Sequence, residues 1–178
     1  WTAQYLALRA LGHPDAFPAE DLVLQKALPG DGTRLTARRL REHAEAWRRN
    51  GHIVREIMEQ EVDFYLDKLD VLVVVNPNNP TGLSLSPERL LDWHARLVQR
   101  GGWLVVDEAF MDNTPTMSLA PQSQRTGLIV LRSFGKFFGL AGVRLGFVIG
   151  PPAILDPRRA LLGAWPVSAA AIGIGTGA

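Results

Sequence analysis

Apolar residues follow two different rhythms along this chain, and the change falls near residue 45. The first part reads as all helical. Residues 1–11 form an apolar stretch stopped by Gly12, with Pro14 just beyond it, as is common past a helix C-terminus. A second short helix is predicted over 19–28, followed by a Pro29-Gly30-Asp31-Gly32 turn. Thr36 then caps a charged helix that runs to about Arg49, with Leu40 and Trp47 as its clearest apolar positions and Gly51 as its stop.

From Val71 onward the rhythm is that of strands. Residues 71–75, 103–106, 128–131 and 145–149 are short, continuous runs of β-branched and apolar residues. Continuous hydrophobicity, unlike alternation, predicts strands buried on both faces of an α/β sheet. Between the first two runs lies a well-signalled helix. Ser86 is its N-cap, Pro87 its first residue, Glu88 suits its positive end, and Gly101-Gly102 closes it. Leu90, Leu91, Leu97 and Val98 supply its apolar stripe. The expected fold class is therefore α/β, a mostly parallel sheet with flanking helices, preceded by a short all-helical segment. The domain boundary is placed between 1–45 and 46–178.

Composition narrows the chemistry. The 178 residues are 47% hydrophobic and 21% charged, as in a soluble globular protein with a core of its own. Lys and Arg number 19 against 18 Asp and Glu, so a net charge of +1 gives no electrostatic case for nucleic acid as the main partner. The absence of cysteine excludes disulfides, thiolate metal sites and a cysteine nucleophile. No apolar run is long enough for a membrane span, and no signal peptide is visible. His13, His43, His52 and His94 lack metal-binding spacing and read as ordinary surface or helix residues, so no metal is expected. Trp1 in place of an initiator Met, and a Gly/Ala-rich ending, make the chain read as a fragment.

Three stretches follow the predicted strands, where ligands gather in open α/β sheets. Asn76-Pro77-Asn78-Asn79-Pro80-Thr81-Gly82 makes a rigid turn whose asparagines are fit to project as fixed donors and acceptors, and one of its X-Pro bonds is a candidate cis bond. The plainer reading is a tight strand-to-helix turn. In Val105-Val106-Asp107-Glu108-Ala109-Phe110 a carboxylate leaves an apolar strand and calls for a cation, either a protonated ring nitrogen or a structural Arg or Lys. In the stretch 132–144, Lys136 stands among Phe134, Phe137 and Phe138, which would desolvate its amine toward nucleophilic use. Ser133 and Arg144 offer a hydroxyl and a guanidinium suited to a phosphate. The plainer alternative there is a glycine-rich surface loop with a solvated lysine.

Taken together, the three stretches meet the needs of pyridoxal 5'-phosphate: a Schiff-base lysine, a carboxylate for the pyridine nitrogen and a phosphate clamp. NPNNPTG (76–82), VVDEAF (105–110) and RSFGKFFGLAGVRLGF (132–147) make residues from about 43 onward resemble the large domain of fold-type I pyridoxal-phosphate enzymes, the class I/II aminotransferase superfamily. Within it they look most like the threonine-phosphate decarboxylases of cobalamin biosynthesis, with histidinol-phosphate aminotransferases as near relatives. The resemblance implies that Lys136 forms the covalent link to the cofactor and moves protons at the substrate. It implies that Asp107 keeps the pyridine nitrogen protonated and that Asn79 hydrogen-bonds the ring 3-hydroxyl, its bond to Pro80 being a candidate cis bond. Ser133 and Arg144 would bind the cofactor phosphate. Aminotransferases of this group commonly carry Tyr where this chain has Phe110, a departure that fits the decarboxylase branch.

On that reading L-threonine O-3-phosphate, an amino acid phosphate, would lose its carboxylate and leave as (R)-1-amino-2-propanol O-phosphate. A histidinol-phosphate type of transamination is the alternative. The resemblance also implies a cytoplasmic homodimer. It lacks the family's N-terminal phosphate loop with its ring-stacking aromatic, and the C-terminal small domain with its carboxylate-binding arginine.

The first 45 residues are similar to something else. Trp1, Tyr5 and the stretch through Asp21 resemble helix-hairpin-helix DNA glycosylases of the 3-methyladenine type II group. There Trp1 and Tyr5 would line a base pocket and Asp21 would be the catalytic carboxylate. The hairpin that grips DNA is missing, and the plainer reading makes Trp1 and Tyr5 core residues and Asp21 a solvated acid. A joined or inactive chimera is the reading that covers both halves.

Overall fold

The computed structural model describes residues 53–55, 57–79, 81–159 and 167–176. The helices predicted over 1–49, the glycosylase-like residues Trp1, Tyr5 and Asp21, and His13, His43 and His52 lie outside them. The described part is built on a four-stranded sheet: β1 (Val71–Val75), β2 (Trp103–Asp107), β3 (Leu128–Ser133) and β4 (Gly146–Ile149), in the order β1-β2-β3-β4. The first three are parallel, Val75 pairing with Asp107 and Asp107 with Leu131. β4 returns antiparallel and pairs Gly146 with Ser133.

Among the described residues four α-helices accompany the sheet: α1 (Val62–Tyr65), α2 (Pro87–Val98), α3 (Pro152–Arg159) and α4 (Ala169–Thr176). α2 starts where its sequence demands. Ser86 is extended, its hydroxyl accepts the Arg89 N–H at 3.3 Å, and Pro87 occupies the first turn. Its buried face is Leu90, Trp93, His94 and Leu97, so the stripe read from sequence is rotated: Leu91 is only partly buried, and Trp93 and His94 turn inward. His94 is thus a helix residue but not a surface one; its Nε2 lies 2.9 Å from the Thr126 carbonyl.

The sheet separates two apolar layers. Leu72, Leu104, Val106, Leu128 and Val130 face α2 together with Val62, Leu66 and Leu119. Val105, Ile129 and Leu131 face the other way and pack with Ile154 of α3. β2 and β3 are buried on both faces, as continuous hydrophobicity predicts. β1 is not. Val71 and Val73 are exposed, because β1 is the outer strand among the described residues and one of its faces meets no described layer.

Close packing at the start of β3 fixes one glycine. Gly127 has φ +76°, and a Cβ there would lie 2.5 Å from Val98 Cγ2 and 2.9 Å from the Gly102 carbonyl. Only glycine meets both demands.

Candidate active site

The alternation of β2 and β3 decides which side chains meet. Asp107 is in register with Leu131, and Ser133 stands two residues further along the same strand. In a strand, residues two apart share a face. Asp107 and Ser133 therefore lie on the face of Val105, Ile129 and Leu131, at the carboxyl ends of neighbouring strands. Strand spacing and rise place their Cα atoms about 8 Å apart.

Asp107 is 5% exposed, and its Oδ1 accepts the Ala109 N–H at 3.0 Å. Its carbonyl accepts the Asn76 N–H at 2.9 Å, which ties the turn after β1 to the end of β2. Ser133 is 4% exposed. Its Oγ accepts the Gly135 N–H at 3.2 Å, so the hydroxyl proton is left to donate to an anion. Gly135 allows the chain to close on itself here: a Cβ at this position would stand 3.3 Å from Ala141 Cα.

Lys136 follows three residues after Ser133 and is half-buried. Its Nζ lies 5.8 Å from the centroid of the Phe110 ring, so the lysine reaches over the loop that leaves Asp107. The sequence reading assigns the desolvation of its amine to Phe134, Phe137 and Phe138. Those rings pack on one another, with Phe134 stacked on Phe138 at 4.9 Å and Phe137 edge-on to Phe138 at 5.2 Å, while Phe137 and Phe138 stay about half exposed.

Arg144 is exposed and adopts the left-handed conformation at φ 58°, just before β4. It is the only non-glycine residue with positive φ among the described residues. Its Nη1 donates to the Ala141 carbonyl at 3.3 Å, and the neighbouring Leu145 carbonyl accepts the Phe134 N–H at 3.2 Å. The β3–β4 pairing thus brings Arg144 to the backbone that carries Ser133.

The asparagine turn is organised differently from its sequence reading. Asn76 is fully buried and spends its side chain on backbone: Oδ1 accepts the Leu85 N–H at 2.8 Å and Nδ2 donates to the Leu85 carbonyl at 3.2 Å. Asn78 Nδ2 donates to Thr81 Oγ1 at 2.7 Å. Asn79 is exposed. The cis bond in this turn is Asn76–Pro77, while Pro80 lies outside the described residues.

Sequence reading also passed over a buried ionic cluster beside these residues. Glu108, fully buried, accepts from Ser118 Oγ at 2.5 Å, from the Leu119 N–H at 2.7 Å and from Arg132 Nη1 at 3.2 Å. Arg132 Nη2 donates to Asp112 Oδ1 at 2.5 Å. Asp112, Arg132, Ser133, Phe134, Phe138, Phe147 and Ile149 line a cavity of 230 Å³ next to Ser133. The signal available in the sequence was a second acid directly after Asp107 and an arginine directly before Ser133. No group of three or more potential metal ligands occurs among the described residues, and no described helix is long and apolar enough to cross a membrane.

A carboxylate, a hydroxyl, an amine and a guanidinium thus share the carboxyl edge of one sheet. The family model for aminotransferase class I and II matches residues 32–175. The chain belongs to this aminotransferase family. Over 127 residues it is 66% identical to a threonine-phosphate decarboxylase of Pseudomonas aeruginosa, covering 71% of this chain and 38% of that protein. A threonine-phosphate decarboxylase of a Sinorhizobium species is 52% identical over 105 residues, covering 58% and 32%. Among solved structures, the L-threonine-O-3-phosphate decarboxylase of Porphyromonas gingivalis superposes with a TM-score of 0.63 at 25% identity, covering 74% of this chain and 43% of that one. The chain therefore spans about a third of the length of the curated relatives it matches. The partial α/β transferase fold expected from sequence is the fold found.

Proposed function

We propose that this chain carries the cofactor-holding part of a pyridoxal-phosphate-dependent decarboxylase acting on L-threonine O-3-phosphate. The observation that carries the reading is the 66% identity over 127 residues to a threonine-phosphate decarboxylase, beside strand ends that hold Asp107 and Ser133 with Lys136 three residues on. The residues fit the group. Asp107 is a nearly buried carboxylate at a strand end, Ser133 keeps a proton to donate, and Gly135 lets the backbone come close.

When bound, pyridoxal 5'-phosphate supplies a sink for the electron pair left on Cα as the substrate carboxylate departs as carbon dioxide. The rest falls to the protein. Asp107 accepts the N–H of the pyridine nitrogen and keeps it protonated; its burial strengthens that ion pair relative to water. Ser133 donates its hydroxyl proton, and Arg144 its guanidinium protons, to the cofactor phosphate. Lys136 would supply the amine that holds the cofactor, and would move the proton that takes the place of the lost carboxylate at Cα. Asn79 is the donor to the ring 3-oxygen, and Phe110, which has no hydroxyl, leaves that oxygen one hydrogen bond short of a tyrosine-bearing site. The product is (R)-1-amino-2-propanol O-phosphate. Homodimeric assembly and a cytoplasmic location belong to the same reading.

The test uses the three lysines of the chain, Lys26, Lys68 and Lys136. The chain is mixed with pyridoxal 5'-phosphate, reduced with borohydride and mapped by mass spectrometry. Label confined to Lys136, and lost in Lys136→Ala, is the expected result; even label over all three lysines, or none, overturns the reading. Incubation with L-threonine O-3-phosphate then separates the chemistries. Decarboxylation yields an amine phosphate and carbon dioxide, whereas transamination yields a keto acid phosphate.

A further inference from the structure

Two residues of the candidate site have chain neighbours that grip each other on the opposite side of the sheet. Glu108 follows Asp107, and Arg132 precedes Ser133. Because side chains alternate along a strand, a neighbour's anchor on one face fixes the aim of its partner on the other. The ladder continues through Glu108, whose N–H donates to the Leu131 carbonyl at 2.8 Å. The Glu108–Arg132 ion pair then closes a short ring across the β2 and β3 ends at 3.2 Å.

The pair is held firmly. Glu108 is fully buried and Arg132 keeps 20% of its side chain exposed. Ser118 Oγ and the Leu119 N–H also bind Glu108, and Ser118 lies 3.4 Å from Arg132 Nη1. The second arm of the guanidinium takes Asp112, whose Oδ2 is buried without a hydrogen-bond partner. A planar fork that spans two acids resists rotation in a way that a lysine would not.

We propose that Arg132, held by Glu108 behind the sheet edge, is a positioning residue that sets the spacing and aim of Asp107 and Ser133 toward the phosphorylated pyridine cofactor. The inference rests on the cofactor reading above. Arg132 touches neither cofactor nor substrate in this scheme; it acts through the two residues beside it.

The experiment uses the full chain with pyridoxal 5'-phosphate as the probe. It reads the dissociation constant for the cofactor, the share of borohydride-fixed label at Lys136, and the melting temperature of the cofactor-free protein. Arg132→Met is expected to weaken cofactor binding about tenfold or more, as loss of an orienting outer partner does elsewhere, and to spread label toward Lys26 and Lys68. Arg132→Lys restores part of both, since the charge returns without the fork. Asp112→Asn, whose amide oxygen still accepts from Arg132 Nη2, keeps both arms of the fork and stays close to the parent in affinity.

A purely structural clamp behaves differently. If Arg132→Met and Arg132→Lys lower the melting temperature but leave affinity and label selectivity at parent values, the positioning role is overturned while the cofactor reading stands. Should Arg132→Met not fold, the comparison of Arg132→Lys with Asp112→Asn decides: weaker cofactor binding in the first supports the proposal, and equal binding overturns it. Absence of selective Lys136 label in the parent chain overturns the cofactor reading and this inference with it.

Discussion

At the scale of single residues, charge placement can be read with a sign. Asp63 lies in the first turn of α1 and faces α2, where Arg89, Arg96 and the Trp93 indole N–H all donate to its carboxylate. Desolvation works to raise its pKa, but the hydrogen bonds from Trp93 and Arg89 and the Arg89 charge outweigh it, holding the carboxyl below its ordinary value. A depressed folded pKa contributes stability above the unfolded value of about 3.9 and loses it as pH falls through the folded one. Asp63→Asn is therefore expected to lower the melting temperature at pH 7, with the gap closing below about pH 4. Its carboxylate is 43% exposed, so the effect is small, about 0.5 kcal/mol after solvent screening, and smaller still in high salt. Thermal melts of both proteins across pH check this. Asn76 shows the opposite case, in which residue type misleads. Asn76 looks like a projecting donor in the sequence, yet its amide is consumed by Leu85 whereas Asn79 stays exposed, because a side chain's role in a turn depends on which backbone groups the turn leaves unpaired.

At the scale of elements, caps and stops were legible and faces less so. Ser86 and Pro87 place the start of α2 where capping chemistry puts it. The rotation of its buried face toward Trp93 and His94 was hidden because both residues carry polar nitrogens, and each finds a partner only in tertiary structure: Asp63 for the indole, the Thr126 carbonyl for the imidazole. Gly127 links α2 to β3. Gly127→Ala forces a positive φ on a residue with a Cβ and drives that Cβ against Val98 and Gly102. The variant is expected to lose more than about 1 kcal/mol of stability, measurable by denaturant titration. The site should suffer with it, since the N–H of Leu104, the second residue of the strand that ends in Asp107, donates to the Gly127 carbonyl at 2.8 Å.

At the scale of the whole molecule, binding and folding are coupled. A ligand that binds only the folded state stabilises it by mass action, about 2.7 kcal/mol at a hundredfold excess over its dissociation constant. For a chain of this length, pyridoxal 5'-phosphate at that excess is expected to raise the melting temperature by about 5–10 °C. Lys136→Ala should shrink the shift, because the covalent link is lost, without lowering the melting temperature of the cofactor-free protein by a comparable amount. A scanning fluorimetry titration of both proteins distinguishes a site that assembles in this chain from motifs that are present without assembling. The exposed Val71 and Val73 of β1 belong to this scale too. The continuous run 71–75 is a strand that its sequence makes ready to be buried on both faces, and the described residues cover only one of them.

What the sequence determined by itself is the set of strands, the cap of α2 and the three chemistry-bearing stretches, because periodicity, capping and turn chemistry are local and need no partner to be read. Lys136, Asp107, Ser133 and Arg144 were legible for that reason, as residue types placed just after or between buried runs. Only the tertiary structure decided that Asp107 and Ser133 share one face, that Lys136 reaches over Phe110, and that Glu108 and Arg132 join behind them. Those outcomes depend on strand register and on where residues 24 apart in the chain, Glu108 just after β2 and Arg132 in β3, come to rest against each other, which pairing across the sheet sets and local pattern does not.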